Sequence, residues 1–406
     1  MDRRHFLVLP TLGPAALSAA AQTASPQTKR KKVAAIVTEY TWYSHADVIC
    51  GRLMGGNSAN GVWMPPRTHL VSLYRAQTPN REMTLDMAAR NGFRVYPTIR
   101  EALTLGGPKL AVDAVAFIAE QGQYPYNEVG QHLYPRFEMF SEILDVYEQS
   151  GFSVPTYFDK HYSYDWKKAK TLFDRSRRLK FPMLAGSSVP VTLRAPDVQP
   201  PLDTPMTEAA CVGHGQVDAY GFHLLEAMQC IVERRKGGET GVREVEMIEG
   251  DSIWSWLDGP GEWAKSLLAA AHSLDPTRLP VSMREQAKNP VLMRVQYRDG
   301  FRAAALVLKP ERINRTVAVR IAGRPEPLKT LFGPQAGRPL PHFDGLVRCI
   351  EELFVTGKEQ YPPERTLITT GILAHAFESR RTKGPVSTPD MNVAYRTPAD
   401  AWYQHA

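Results

Sequence analysis

Val33-Ala34-Ala35-Ile36-Val37 is five apolar residues in a row, and this run limits what the chain can become more than any other feature. A strand with no polar face has to be covered on both sides, which is the setting of a parallel sheet wrapped by helices. The downstream sequence repeats the theme. Helical patterns over residues 46–53, 81–91, 99–105, 137–149 and 165–180 alternate with strand-like runs over 68–74, 95–96, 112–118 and 154–158. Gly92 and Gly151 stand where two of those helices should stop. Strands alternating with helices at this spacing predict βαβ units and a Rossmann-like, doubly wound parallel domain over residues 33–181.

The pattern changes after residue 182. Residues 184–194 read as strand, and residues 196–205 hold four prolines and read as an irregular connection. A helix over 221–235 runs into Gly237-Gly238. Runs 242–256, 291–297, 303–308 and 316–321 are β-like, and 346–355 and 364–379 are helical. We expect a second, α+β domain over 182–389 with a mostly antiparallel open sheet. Its closing helix, 364–379, would return toward the first domain, and a tail follows at 390–406. A length of 406 residues suits two such domains.

The net charge of +7 is not a nucleic-acid signature. Arg3 and Arg4 against Asp2, with the run Lys29-Arg30-Lys31-Lys32, carry five of those seven charges, and no nucleic-acid-binding motif accompanies them. The four cysteines lack metal-ligand spacing and read as buried free thiols. At the start, Arg3-Arg4-His5-Phe6-Leu7 precedes an apolar run that ends in Ala19-Ala20-Ala21. Paired arginines, a short apolar segment and small residues, in that order, read as a twin-arginine signal over 1–24 with a basic linker at 25–32. The run is well short of the ~20 residues that span a bilayer. The expectation is export to the periplasm or beyond by the twin-arginine machinery, with no stable membrane anchor.

Several motifs then fall in a familiar order. Val112-Asp113-Ala114-Val115 precedes Tyr157-Phe158-Asp159-Lys160-His161; Gly221-Phe222-His223-Leu224-Leu225-Glu226 follows, and the helix from Pro363-Glu364 comes last. In this order the chain, from about Val33 to Pro389, resembles the Gfo/Idh/MocA sugar oxidoreductases. The resemblance implies an oxidoreductase acting on a sugar, glycoside or polyol, with NAD or NADP as cofactor and a homo-oligomeric assembly. It places Lys160 where cofactor and substrate meet, His223 as acid/base and Asp218 as its partner. Asp159 and His161 stand where the family has Glu and Pro.

The first turn departs from that pattern. A dinucleotide needs Gly-x-Gly-x-x-Gly after the first strand. The chain instead reads Thr38-Glu39-Tyr40-Thr41-Trp42-Tyr43-Ser44-His45. If a dinucleotide binds, Glu39, Tyr74, Arg75 and Glu120 are its expected neighbours, Arg75 standing where a ribose-binding carboxylate is usual. If none binds, Glu39, His45, Glu120, Lys160 and His161 at the strand ends, with His214, Asp218 and His223, suit a lyase, isomerase or hydrolase. A metal-assisted version and a non-catalytic carbohydrate-binding protein also stay open. No metal-ligand code is present.

Overall fold

The computed structural model describes residues 30–308, 314–333 and 340–405. The twin-arginine signal and the linker as far as Lys29 lie outside the described residues. The first layer holds β1 (Lys31–Val37), α1 (His45–Gly55), β2 (Thr68–Arg75), α2 (Thr84–Asn91), β3 (Arg94–Val95), α3 (Ile99–Thr104), β4 (Ala114–Ile118), α4 (Arg136–Ser150), β5 (Thr156–Asp159), α5 (Trp166–Leu179) and β6 (Met183–Gly186). All six strands are parallel, in the order β3-β2-β1-β4-β5-β6. Val33 to Val37 are fully buried at its centre. This is the doubly wound topology expected of such a run, and it gathers the carboxyl ends of β1, β4 and β5 at one edge.

The second layer follows as β7 (Arg194–Ala195), β8 (Met206–His214), α6 (Phe222–Val232), β9 (Val242–Glu249), α7 (Ser252–Leu257), α8 (Glu262–His272), α9 (Met283–Gln286), β10 (Val291–Tyr297), β11 (Arg302–Leu308), β12 (Arg315–Ile321), β13 (Leu328–Phe332), α10 (His342–Thr356), α11 (Glu364–Thr382) and β14 (Val386–Ser387). Its eight strands run β14-β9-β10-β11-β8-β12-β13-β7, antiparallel except for the β8–β11 pair. Central β8 is covered on both faces. Ala209 and Cys211 pack with α6 and α11, and Ala210 and Val212 pack with α7 and α8.

Four readings of the sequence need correction. Residues 184–194 are not one strand: β6 ends at Gly186 and belongs to the first sheet, and a short turn over Val189–Val191 follows. The run 242–256 stops being strand at Glu249. Gly250 turns the chain with φ +62°, and Ile253 and Trp254 are buried on helix α7. β8 and α8 were not foreseen, because a strand and a helix that fit tightly on neighbours through alanines lack strong apolar periodicity. Residues 81–83 precede α2 rather than forming it, since Glu82 bridges to Thr41.

The late chain returns to the first layer, and this return builds the site. Helix α10 packs on α1 through Leu346, Val347 and Ile350 against Ile49 and Leu53. A buried Arg52–Asp344 ion pair of 2.7 Å locks the two helices together. Helix α11 reaches the first sheet through Thr366, whose Oγ1 donates to the Ala185 carbonyl at 2.7 Å. All four cysteines are buried as free thiols. Among the described residues no helix is long and apolar enough to cross a membrane.

Candidate active site

The carboxyl end of β5 delivers Asp159 and Lys160. Lys160 has φ +69°, a left-handed backbone that is strained for a residue other than glycine. Its amide donates to the Gly186 carbonyl at 3.2 Å, and its side chain is turned inward, 5% exposed. Lys160 Nζ then lies 2.5 Å from His223 Nε2 and 3.5 Å from Glu120 Oε1.

A lysine donating to Nε2 leaves the imidazole proton on Nδ1. That proton has two acceptors, Ser187 Oγ at 2.9 Å and Glu226 Oε2 at 3.1 Å. Ser187 in turn gives its hydroxyl and its amide N–H to Glu226, the latter at 2.8 Å. Burial pushes the Glu226 carboxyl up to about 7 against these hydrogen bonds. Burial, then the charges of Lys160 and Arg315, hold His223 well below its ordinary value, so the ring is neutral. A neutral imidazole with a carboxylate behind it, beside an ammonium group, is equipped to accept a proton.

Glu120 faces the same lysine. Burial works against its charge, but Lys160, Arg136, His45 and His161 outweigh it and hold the carboxyl at about 2. Arg136, only 1% exposed, donates to Glu120 Oε2 and, at 2.8 Å, to His161 Nε2. His161 is neutral in consequence, driven well below its ordinary value by burial and by Arg136.

At the start of α1, Ser44 caps the helix and His45 Nδ1 meets the buried Asp159 at 2.7 Å. The cavity among these groups measures about 300 Å³. His45, Glu120, Lys160, Ser187, His223, Arg315 and His342 give it its polar lining, with Tyr43, Tyr220 and Phe343 among the ring walls. Burial and then neighbouring positive charge hold His342 at about 3, and burial brings Arg315 down to about 10.

Of the residues singled out from the sequence, Lys160, His223, Glu120 and His45 meet in this cavity. Asp218 does not contact His223. It sits in the turn Val217–Gly221 ahead of α6, accepts the His132 amide N–H at 3.0 Å, and is raised to about 6 by burial. Glu226, one turn along α6, occupies the position behind His223 that Asp218 was expected to fill. His214 pairs with Asp275 at 2.7 Å, so it does not join Asp218 and His223 in a ligand set. Among the described residues no group of three or more His, Cys, Asp or Glu side chains is arranged to hold a metal ion. Glu39 accepts from Thr41 and lines a separate cleft with Trp42 and Arg81. Arg75 pairs with Glu82 at 3.3 Å, and Tyr74 is half-buried. Ser187, Arg315 and His342 were missed, since only the folded chain brings them to Lys160. Glu226 was legible in principle, at i+3 from His223 on a predicted helix.

The sequence matches no protein-family profile and no curated protein. Solved structures match throughout. GenD2 of gentamicin A biosynthesis, in complex with NAD, is 12% identical with a TM-score of 0.56, over 90% of this chain and 98% of its own. An oxidoreductase from Agrobacterium radiobacter, in complex with NAD+, L-tartaric acid and magnesium, is 11% identical with a TM-score of 0.54, over 88% and 98%. A myo-inositol dehydrogenase from Corynebacterium glutamicum is 11% identical with a TM-score of 0.52, over 88% and 99%. The chain shares the fold of these structures.

The residues at the first turn do not fit a dinucleotide in the usual pose. There the pyrophosphate takes free N–H groups at the start of the first helix. Here Gln121 Oε1 takes the His45 N–H at 3.0 Å, Ser44 Oγ the Asp47 N–H at 3.2 Å, and Asp47 the Tyr43 N–H at 3.0 Å. The side chain of Gln77, after β2, exchanges two hydrogen bonds of 2.8 and 3.0 Å with the Gln123 backbone, in the loop that follows β4. β1 lies between those strands, so this clasp spans the carboxyl end of β1. Asp47 and Glu39 add negative charge where an anion would have to sit.

Proposed function

We propose that the chain is an acid–base enzyme acting on a sugar, sugar acid or related polyol, a divergent relative of the Gfo/Idh/MocA oxidoreductases that works without a dinucleotide. The observation that carries this reading is the 2.5 Å contact of Lys160 Nζ with His223 Nε2, backed by Ser187 and Glu226. When substrate enters, the lysine turns to its oxygen and His223 Nε2 takes the proton. Glu226 and Ser187 hold the ring and its Nδ1 proton. Glu120, fixed by Arg136, holds the lysine directed into the cavity. Asp218 has no part in this step.

Hydride transfer with NAD or NADP is the second reading, favoured by the fold of the NAD-bound neighbours and opposed by the filled N–H groups of the first turn. The paired arginines near the amino terminus support export by the twin-arginine route, and the family resemblance alone supports a homo-oligomer. The test is turnover of a panel of aldoses, ketoses, uronic acids and inositols by the full chain, read by NMR. His223→Gln and Lys160→Met should each lose about 10²–10⁴-fold, the usual contribution of a positioned acid or base. Full activity in His223→Gln would overturn the reading.

A further inference from the structure

The acid–base reading leaves a second imidazole on the same cavity without a role. His45 opens α1, and its Nδ1 lies 2.7 Å from Asp159 Oδ2. Asp159 is fully buried, and the Tyr157 hydroxyl donates to its other oxygen at 2.8 Å. A carboxylate held on Nδ1 fixes the ring proton there and leaves Nε2 for the cavity. His223 is built on the same plan, with Nδ1 on Ser187 and Glu226. The two rings come from different layers, one on the first helix of the parallel sheet and the other on the helix that covers the second sheet. Each therefore approaches the cavity on its own support. His45 also closes the first turn, because its amide N–H is the one Gln121 takes.

The charge of the lining narrows the substrate. Among the described residues of its lining, Lys160 and Arg315 are the cations and Glu120 the carboxylate, itself shared with Arg136. Two cations on the wall of a small cavity favour an anionic ligand.

We propose that His45 and His223 form a two-base pair that carries a proton across a carbon next to the carbonyl of an anionic sugar, inverting that carbon. The proposal rests on the acid–base reading of the cavity. The balance is closed without an oxidant. His223 Nε2 takes the proton as the C–H bond breaks, and the electron pair moves onto the carbonyl oxygen, where Lys160 holds the enediolate. The carbonyl re-forms as protonated His45 returns a proton from its own side. The pair ends with the protonation states exchanged, and solvent resets them.

The experiment uses the full chain in D2O with keto- and aldo-hexuronates as probes. NMR follows inverted product and solvent deuterium entering the starting sugar. Wild type should do both. His45→Gln should lose product by ~10²-fold or more while deuterium still enters the starting sugar through His223. His223→Gln should lose both for a starting sugar whose proton His223 removes, and keep exchange for the opposite epimer. Asp159→Asn leaves His45 in place with its proton on the wrong nitrogen, and should show the same split between product and exchange as His45→Gln. Loss of neither in His45→Gln and Asp159→Asn overturns the pair while leaving His223 as a single base, and loss of product and exchange together in both overturns the pair because His223 then exchanges nothing by itself. A wild type that exchanges no deuterium with any hexuronate overturns the acid–base reading and the pair with it.

Discussion

Glu120 is where the site's electrostatics are most exposed to a stability experiment. Its carboxylate lies between Arg136 and Lys160, both nearly inaccessible, and is held at about 2 against an ordinary value of 4.5. That shift corresponds to about 3 kcal/mol of stability at neutral pH. Glu120→Gln leaves the buried Arg136 and Lys160 without their shared anion, and breaking a buried ion pair by removing one partner costs about 3–5 kcal/mol. The two routes agree. The depressed folded-state value sets the sign: the contribution is complete above pH 4.5 and is lost as pH falls through about 2. Urea unfolding at pH 7 should place Glu120→Gln about 3 kcal/mol below wild type, and at pH 3 the gap should shrink to less than half of that. Equal stabilities at pH 7, or a gap that ignores pH, would refute the reasoning.

Glu226 should behave with the opposite sign. Its folded value is raised to about 7, so wild type loses about 3 kcal/mol as pH rises from 4.5 through 7, and Glu226→Gln should abolish that slope in the same urea series. Gly186 has φ +111°, and a Cβ there would lie 2.6 Å from Glu226 Oε1 and 3.0 Å from Thr366 Oγ1. Gly186→Ala should therefore lower stability by about 1–3 kcal/mol, seen as a lower Tm, and should also reduce turnover by displacing the carboxylate behind His223.

The first layer was largely legible because Val33–Val37 and its successors need cover on both faces, a demand written in consecutive residues. Much of the second layer was not. The central strand β8 is Ala209-Ala210-Cys211 in its middle, and small residues fit it between two helix layers without marking it as a strand. Lys160 and His223 could be found from motif order, because each stands at an element end that such a fold brings to the sheet edge. Asp218 was assigned by position alone, and the widened turn before α6 carries it to His132 instead. Arg315 and His342 lie far along the chain, and only the return of α10 onto α1 and the pairing of β12 with β8 bring them in.

The central claim is proton transfer at Lys160 and His223 without a dinucleotide. Its most direct test is turnover of the hexuronate panel by exhaustively dialysed protein, with and without added NAD+ or NADP+. The account predicts the same product and the same rate in both, with no reduced nicotinamide formed. Turnover that appears only with dinucleotide, and in step with absorbance of the reduced cofactor, would contradict it.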